Sequence, residues 1–385
     1  MSRRLSIGLR YKHQDQWVGG VYYVRNLVRA FGLLPPARRP RLTIVGGDKA
    51  ALADLKAATG YTDLHRVSRT RIRREPARRL DLPFARGASD EIDLLLMGSP
   101  PGLEDRGVQW VPDFQEHRFP AFFPQGELAD RLRRNRDWFA RHAHVMVSSK
   151  DVAADFRRHY GGGANQVHLV RFASFVAADM AGADIRATAA TYGLPERYFI
   201  CNNQMWRHKN HAVILRALAA LSPDPTAPPV VFTGREEDYR DPAHAPGVRA
   251  LAASLGVQDR VRFLGFLPRA DQLALMAGAV AVVQPSLCEG WSTVVEDAKA
   301  LGRHVIASDI AVHREQLATG VDFFAPDDAE ALAGLLKRYA AADPAPPAAD
   351  YGLAERRFTD ELWRMVTAVE RDFRRRRVPR LVVSP

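Results

Sequence analysis

Short apolar runs alternate with helical stretches along the whole chain, in two consecutive series, and this alternation restricts the fold more than any other feature. The first series is "LSIGLR", "RLTIVGG", "EIDLLLMG", "VQWVPDF", "HVMVSS" and "VHLVRF"; the second is "YFICNNQ", "PVVFTG", "RVRFLGF", "AVAVVQP", "HVIASD" and "VDFFAP". Several are unbroken apolar runs, as expected of parallel strands buried on both faces, with the intervening helices as crossovers. The expectation is an α/β chain of two doubly wound, Rossmann-like domains. Its 385 residues fit, being too many for one ordinary core.

The join falls in the Ala- and Gly-rich segment Ala177–Glu196, which has no strand pattern. Domains over residues 1–176 and 177–355 follow. The Pro-rich stretch Ala341–Gly352 carries the chain over the surface, and beyond it Phe358, Leu362, Met365, Val369 and Phe373 keep helical spacing. That helix, over 356–378, needs a surface for its stripe, and the first domain is available.

Composition excludes several classes. No apolar run approaches the ~18 residues of a membrane span, and "MSRRLSIGLRYKH" lacks the apolar segment of a signal peptide, so a cytoplasmic location is expected. Cys201 and Cys288 stand far apart without metal-spaced neighbours, which supports neither a disulfide framework nor a zinc site. The net charge of +11 concentrates in Arg66–Arg79, Arg131–His142 and Arg371–Arg377. Such clusters suit nucleic acid, an anionic membrane or a phosphorylated substrate, and equally a set of solvated faces.

Three carboxylates, Glu289, Glu296 and Asp297, surround the turn "SLCEGW" between the strand "AVAVVQP" and a helix from about Thr293. In a parallel sheet this is where ligands sit, beyond the strand's carboxyl end and at a helix N-terminus with free N–H groups. Thr293 with Glu296 reads as a capping box. Glu289 and Asp297 remain to accept hydrogen bonds from hydroxyls flanking a bound anion, a pattern that a nucleoside diphosphate sugar offers; Asp297 as a complement to the helix dipole is the structural alternative.

The segment Pro285–Asp309 resembles the donor-binding segment of glycosyltransferase family 4, retaining enzymes of the GT-B fold, with the pattern E-G-x-G-x-x-x-x-E-A-x-A-x-G. Glu289, Gly290, Ala298, Ala300 and Gly302 match, while Ser292 replaces the second Gly and Asp297 the second Glu. The resemblance implies two Rossmann-like domains facing each other across a cleft, and donor contacts from Gly290, Trp291, Ser292, Thr293 and Asp297, with Glu296 as a substitute for Asp297 at the ribose. In "ICNNQMWRHKNH", Lys209 fits the family's diphosphate-binding Lys, Asn203 stands at its Arg position, and Arg207 could supply the missing charge. In "WVGGVYYVRNLVRAF", from Trp17, Gly19 and Gly20 are similar to the family's N-terminal glycine loop, read here as a turn opening a helix. Where many relatives carry a His-Asp pair, this chain has Pro112-Asp113, with His117 as a catalytic candidate or a surface residue. Asp113 and Ser149 are placed on the acceptor side, with Ser148 and Glu315 as less specific cleft residues that ordinary capping also explains. Base contacts are expected from "FLGFLPR", through Leu264 and Phe266.

The implied function is transfer of a sugar, mannose foremost, from a GDP- or UDP-sugar to a glycan or lipid-linked glycan, with Lys209, Arg207, Glu289 and His117 as the catalytic set. No Asp-x-Asp motif follows a suitable strand, so no obligatory metal or other cofactor is expected. The helix carrying Leu128, Leu132, Trp138 and Phe139 opposite Arg131, Arg133, Arg134 and Arg136 could rest against an anionic membrane or simply face a core. Two rivals stand: a non-hydrolysing sugar-nucleotide epimerase of the same architecture, and a basic nucleic-acid-binding protein. The second is disfavoured because the basic clusters lack interleaved aromatics, and no nucleic-acid partner is expected.

Overall fold

The structure, a computed structural model, describes residues 4–11, 18–67, 72–74, 90–99, 103–221, 228–345, 347, 350–376 and 381–383. Trp17, most of the basic run Arg66–Arg79 and the end of the run Arg371–Arg377 lie outside them. The chain forms two compact units, one of Met1–Pro112, Arg131–Ala173 and Gly352–Pro385, the other of Asp113–Asp130 and Ser174–Tyr351. The sequence reading had put Asp113–Asp130 with the first.

The first unit contains β1 (Ser6–Arg10), β2 (Arg41–Val45), β3 (Leu64–Val67), β4 (Ile72–Arg74), β5 (Asp90–Ile92), β6 (Leu94–Leu96), β7 (Val108–Val111), β8 (His144–Val147) and β9 (Gln166–Leu169). Its parallel strands run in the orders β3-β2-β1-β6 and β7-β8-β9, and the two groups meet at one parallel bridge, Leu95 to Gly107. The second unit has one six-stranded parallel sheet, from β10 (Phe199–Asn202), β11 (Val230–Thr233), β12 (Val261–Gly265), β13 (Val282–Gln284), β14 (Val305–Ser308) and β15 (Val321–Phe324). Its order is β12-β11-β10-β13-β14-β15, which reverses direction between β10 and β13. In open α/β sheets such a reversal opens the crevice where ligands bind. A last strand, β16 (Leu381–Val383), pairs antiparallel with β4 and β5 of the first unit.

The apolar runs become strands because both faces are covered. Along β10 and β11, Phe199, Cys201, Val230 and Phe232 face one core, while Ile200 and Val231 face the other, in the two-residue period of a strand. Each such side chain, fully buried, contributes about 1.5–3 kcal/mol. In the first unit the helix Gly352–Arg375 buries Phe358, Leu362, Met365, Val369 and Phe373, the stripe the spacing predicted. Polar ties fix it there: Arg171 donates to Glu361 at 2.8 Å, and Thr359 Oγ1 to the Ala30 carbonyl at 3.4 Å. Among the described residues no helix is long and apolar enough to cross a membrane.

Gly19 and Gly20 do not form a turn. They lie within the first turn of the helix Val18–Leu33, with Gly20 buried, and neither has positive φ. Without a Cβ either residue suits close packing as readily as a turn, which is why the sequence reading misplaced them.

Candidate active site

The site is built at the strand-order reversal of the second unit. After β10 the chain turns through Asn203–Trp206 into a short 3-10 turn, Arg207–Lys209, and the helix His211–Ala220. After β13 it turns through Pro285–Trp291 into the helix Thr293–Ala300. The two turns are stitched together: the Leu287 amide donates to the His208 carbonyl at 2.8 Å, and Asn210 Nδ2 donates to the Pro285 and Pro326 carbonyls at 3.2 and 2.8 Å. Asn210 holds this position in the left-handed region, φ 55°, which asparagine tolerates better than most residues.

Across the stitched turns Lys209 Nζ donates to Glu289 Oε1 at 2.6 Å. The same oxygen accepts from Ser286 Oγ at 2.7 Å and Gln284 Nε2 at 2.9 Å. Burial pushes the Glu289 carboxyl up, but the Lys209 charge and these hydrogen bonds outweigh it and hold the group below the usual glutamate range. An ammonium has three donors, and Glu289 occupies one, so a second anion can share Lys209.

His313, which the sequence reading did not single out, is fully buried on the helix Ala311–Gln316. Its Nδ1 lies 2.8 Å from the Ser308 carbonyl, which requires a proton on Nδ1. Burial lowers its pKa, while the Glu289 charge acts to raise it. No sequence signal marks this residue; only the packing of its helix brings it to Glu289.

The other two acids are engaged within the protein. Asp297, 1% exposed, takes a two-pronged pair from Arg269, Nη1 to Oδ2 and Nη2 to Oδ1, both 2.7 Å. Glu296 accepts from Tyr351 at 2.7 Å, Lys299 at 2.8 Å and Gln316 at 2.9 Å. The capping box is therefore corrected. Ser292, with extended dihedrals, is the N-cap and accepts from the Val295 amide, while Thr293 is the first helical residue. Glu296 is thus one position late to reach back to the cap. Gln316 braces the same turn, accepting from the Ser292 amide at 3.1 Å and donating to its carbonyl at 2.7 Å.

Asn203 is buried and spans the reversal, donating to Gln284 Oε1 at 2.9 Å. Trp291 and Gly290 are also buried, whereas Thr293 is only partly so. Arg207 is exposed and lies over the Phe122 ring at 4.6 Å. At the end of β12, Leu264 is half-buried and Phe266 is 46% exposed, with the Arg235 guanidinium 4.4 Å from its ring centroid. Arg235 was missed, although its place directly after "VVFTG", at a strand's carboxyl end, was visible in the sequence.

Five further candidates have local structural surroundings of their own. Asp113 accepts from the Gln115 amide at 3.2 Å and opens the short helix Gln115–Arg118, on which His117 is half-buried near Phe114. Ser149 is fully buried and caps the helix Lys150–Tyr160 through the Val152 amide at 3.0 Å. Ser148 lies 3.5 Å from the Trp110 indole nitrogen, and Glu315 sits half-buried on the helix of His313.

Two parallel α/β units of this kind, one with acidic and basic turns at its strand-order reversal, define the GT-B class of fold, and solved structures agree. A HepE protein of Anabaena, in complex with UDP and glucose, superposes with a TM-score of 0.65 at 17% identity over 95% of this chain and 99% of that one. A glycosyltransferase from Rickettsia africae gives 0.62 at 14% identity, over 98% of each. More narrowly, residues 190–350 match the family model of the glycosyl transferases group 1. Among curated proteins, the lipopolysaccharide core biosynthesis mannosyltransferase LpcC of Rhizobium leguminosarum is 32% identical over 181 residues, 46% of this chain and 49% of its own. The O-antigen chain mannosyltransferase RfbU of Salmonella typhimurium is 28% identical over 142 residues, 37% of this chain and 38% of its own. The chain thus spans about half, or less, of the curated relatives it matches.

Proposed function

We propose that this protein is a retaining glycosyltransferase that moves a hexose, mannose foremost, from a nucleoside diphosphate sugar to a glycan or lipid-linked glycan. The observation that carries the reading is the Lys209–Glu289 pair at the strand-order reversal, on two turns joined backbone to backbone. Lys209 holds the diphosphate and stabilises the charge that develops as it departs, and Glu289 accepts a hydroxyl of the sugar. The Ser292 and Val295 amides are occupied by Gln316 and Ser292, so the Thr293 and Val294 amides are the ones left to add the helix's partial positive charge. Phe266 offers an exposed ring for the base, backed by Arg235. Arg207 joins the diphosphate by leaving Phe122.

Asp297 and Glu296 are tied to Arg269 and Tyr351, so a ribose contact from either requires it to share its carboxylate. The names of LpcC and RfbU support mannose and a surface-glycan acceptor, and the HepE complex supports a nucleotide donor. The helix Gln125–Arg141 buries Phe139 against Phe156 and Tyr160, so its apolar side is partly spent; contact with an anionic membrane would rest on exposed Arg133, Arg134, Arg136 and Arg141.

Calorimetric titration with UDP, GDP and ADP in EDTA tests the donor site. Binding of one nucleotide, lost in Lys209→Ala, is expected. No binding of any at millimolar concentration would overturn the reading.

A further inference from the structure

Residues Asp113–Asp130 belong to the second unit, and one arginine of that unit touches them. Arg240, whose side chain is 7% exposed, sits in the loop after β11. Asp238, 2% exposed, orients it: its Oδ1 accepts from both the Arg240 amide and Nε at 3.0 Å, and its Oδ2 accepts from Nη2 at 3.1 Å. The remaining arm, Nη1, donates to Gln115 Oε1 at 2.7 Å. The guanidinium plane also lies 5.1 Å from the Trp206 ring centroid and 5.2 Å from that of Phe123. One buried cation therefore touches the loop after β11, the turn that leads to Lys209, and the segment carrying His117.

We propose that Arg240 is a positioning residue that pins the segment Asp113–Asp130 to the Lys209 turn, so that His117 is carried by the nucleotide-binding unit and not by the first Rossmann-like unit. Two independent contacts lie beside it. Arg207 stacks on Phe122, and the Tyr239 hydroxyl donates to Glu127 at 3.0 Å. Arg240 reaches both turn and segment from a buried position, and its planar fork satisfies Asp238 and Gln115 together. The consequence for catalysis is that contacts within one unit set the geometry between His117 and Lys209.

This inference rests on the glycosyltransferase reading for its catalytic part alone, and the test separates the two. Hydrogen exchange on the full chain is compared for wild type, Arg240→Ala, Arg240→Lys and Gln115→Ala. Amides of Phe114–Phe123 should exchange at least tenfold faster in all three variants, while those of β10, β13 and the helix His211–Ala220 keep their rates. Gln115→Ala leaves the Asp238–Arg240 pair intact, so it answers the question even if the Arg240 variants fail to fold. Unchanged exchange in Gln115→Ala overturns the pin. Nucleoside diphosphate release from GDP- and UDP-sugars is then followed in the folded variants. A kcat about tenfold lower with donor KM within twofold is expected, whereas an unchanged kcat with faster exchange overturns the positioning role. Absence of nucleotide binding by the wild type would count against the glycosyltransferase reading, with the pin judged on exchange.

Discussion

Lys209→Met removes the ammonium paired with a nearly buried carboxylate. Glu289 is 9% exposed and the Lys209 side chain 14%, so the partner left behind keeps its desolvation cost and loses its cation. Breaking a buried pair by removing one member costs about 3–5 kcal/mol; partial exposure places this case near the lower end, about 3 kcal/mol. Glu289→Gln keeps acceptable partners in Ser286 and Gln284, so the double variant should be less destabilised than Lys209→Met alone. A urea-unfolding double-mutant cycle should therefore give a coupling energy of about 2 kcal/mol or more. The sign with pH is fixed as well. The wild-type carboxyl is depressed below its unfolded value, and without Lys209 the burial that raises it prevails. Protonating Glu289 then removes the stranded charge, so the variant's deficit should shrink as pH falls towards 4. A coupling below about 0.5 kcal/mol, or a deficit that grows on acidification, would refute the reasoning.

Arg269→Ala strands Asp297, and Arg269→Lys cannot replace a two-pronged pair with one ammonium, so both should lose about 3 kcal/mol in urea unfolding, with Lys giving little rescue. Gly234→Ala places a Cβ 2.3 Å from the Asn203 carbonyl oxygen at φ +129°; a loss of about 3 kcal/mol or more is expected, together with weakened nucleotide binding through displacement of the Lys209 turn. Burial holds His168 down to about 4 and His211 down to about 3, while the unfolded chain protonates both near 6.5. The unfolded state therefore binds more protons below that pH, and the thermal midpoint should fall steadily from pH 6.5 towards 4; a flat or rising midpoint would contradict these burials.

Fold class was legible in the sequence because a doubly covered parallel strand must be apolar on both sides. Each of the twelve quoted apolar runs contains a strand, from "LSIGLR" to "VDFFAP". The stripe from Phe358 to Phe373 likewise foretold a docked helix, since a period near 3.6 has one physical use. Lys209 and Glu289 were legible for a related reason: both stand just beyond strand ends, where a parallel sheet exposes its ligand-binding turns. Local chemistry could not say which strands are neighbours. Only the order β12-β11-β10-β13-β14-β15 puts Lys209 and Glu289, 80 residues apart, within 2.6 Å. The same packing occupies Asp297 with Arg269, brings His313 to Glu289, and sets Arg240 against Gln115 of the segment Asp113–Asp130. Those pairings depend on which groups share a low-dielectric interior, a property of the assembled fold that no stretch of the chain possesses alone.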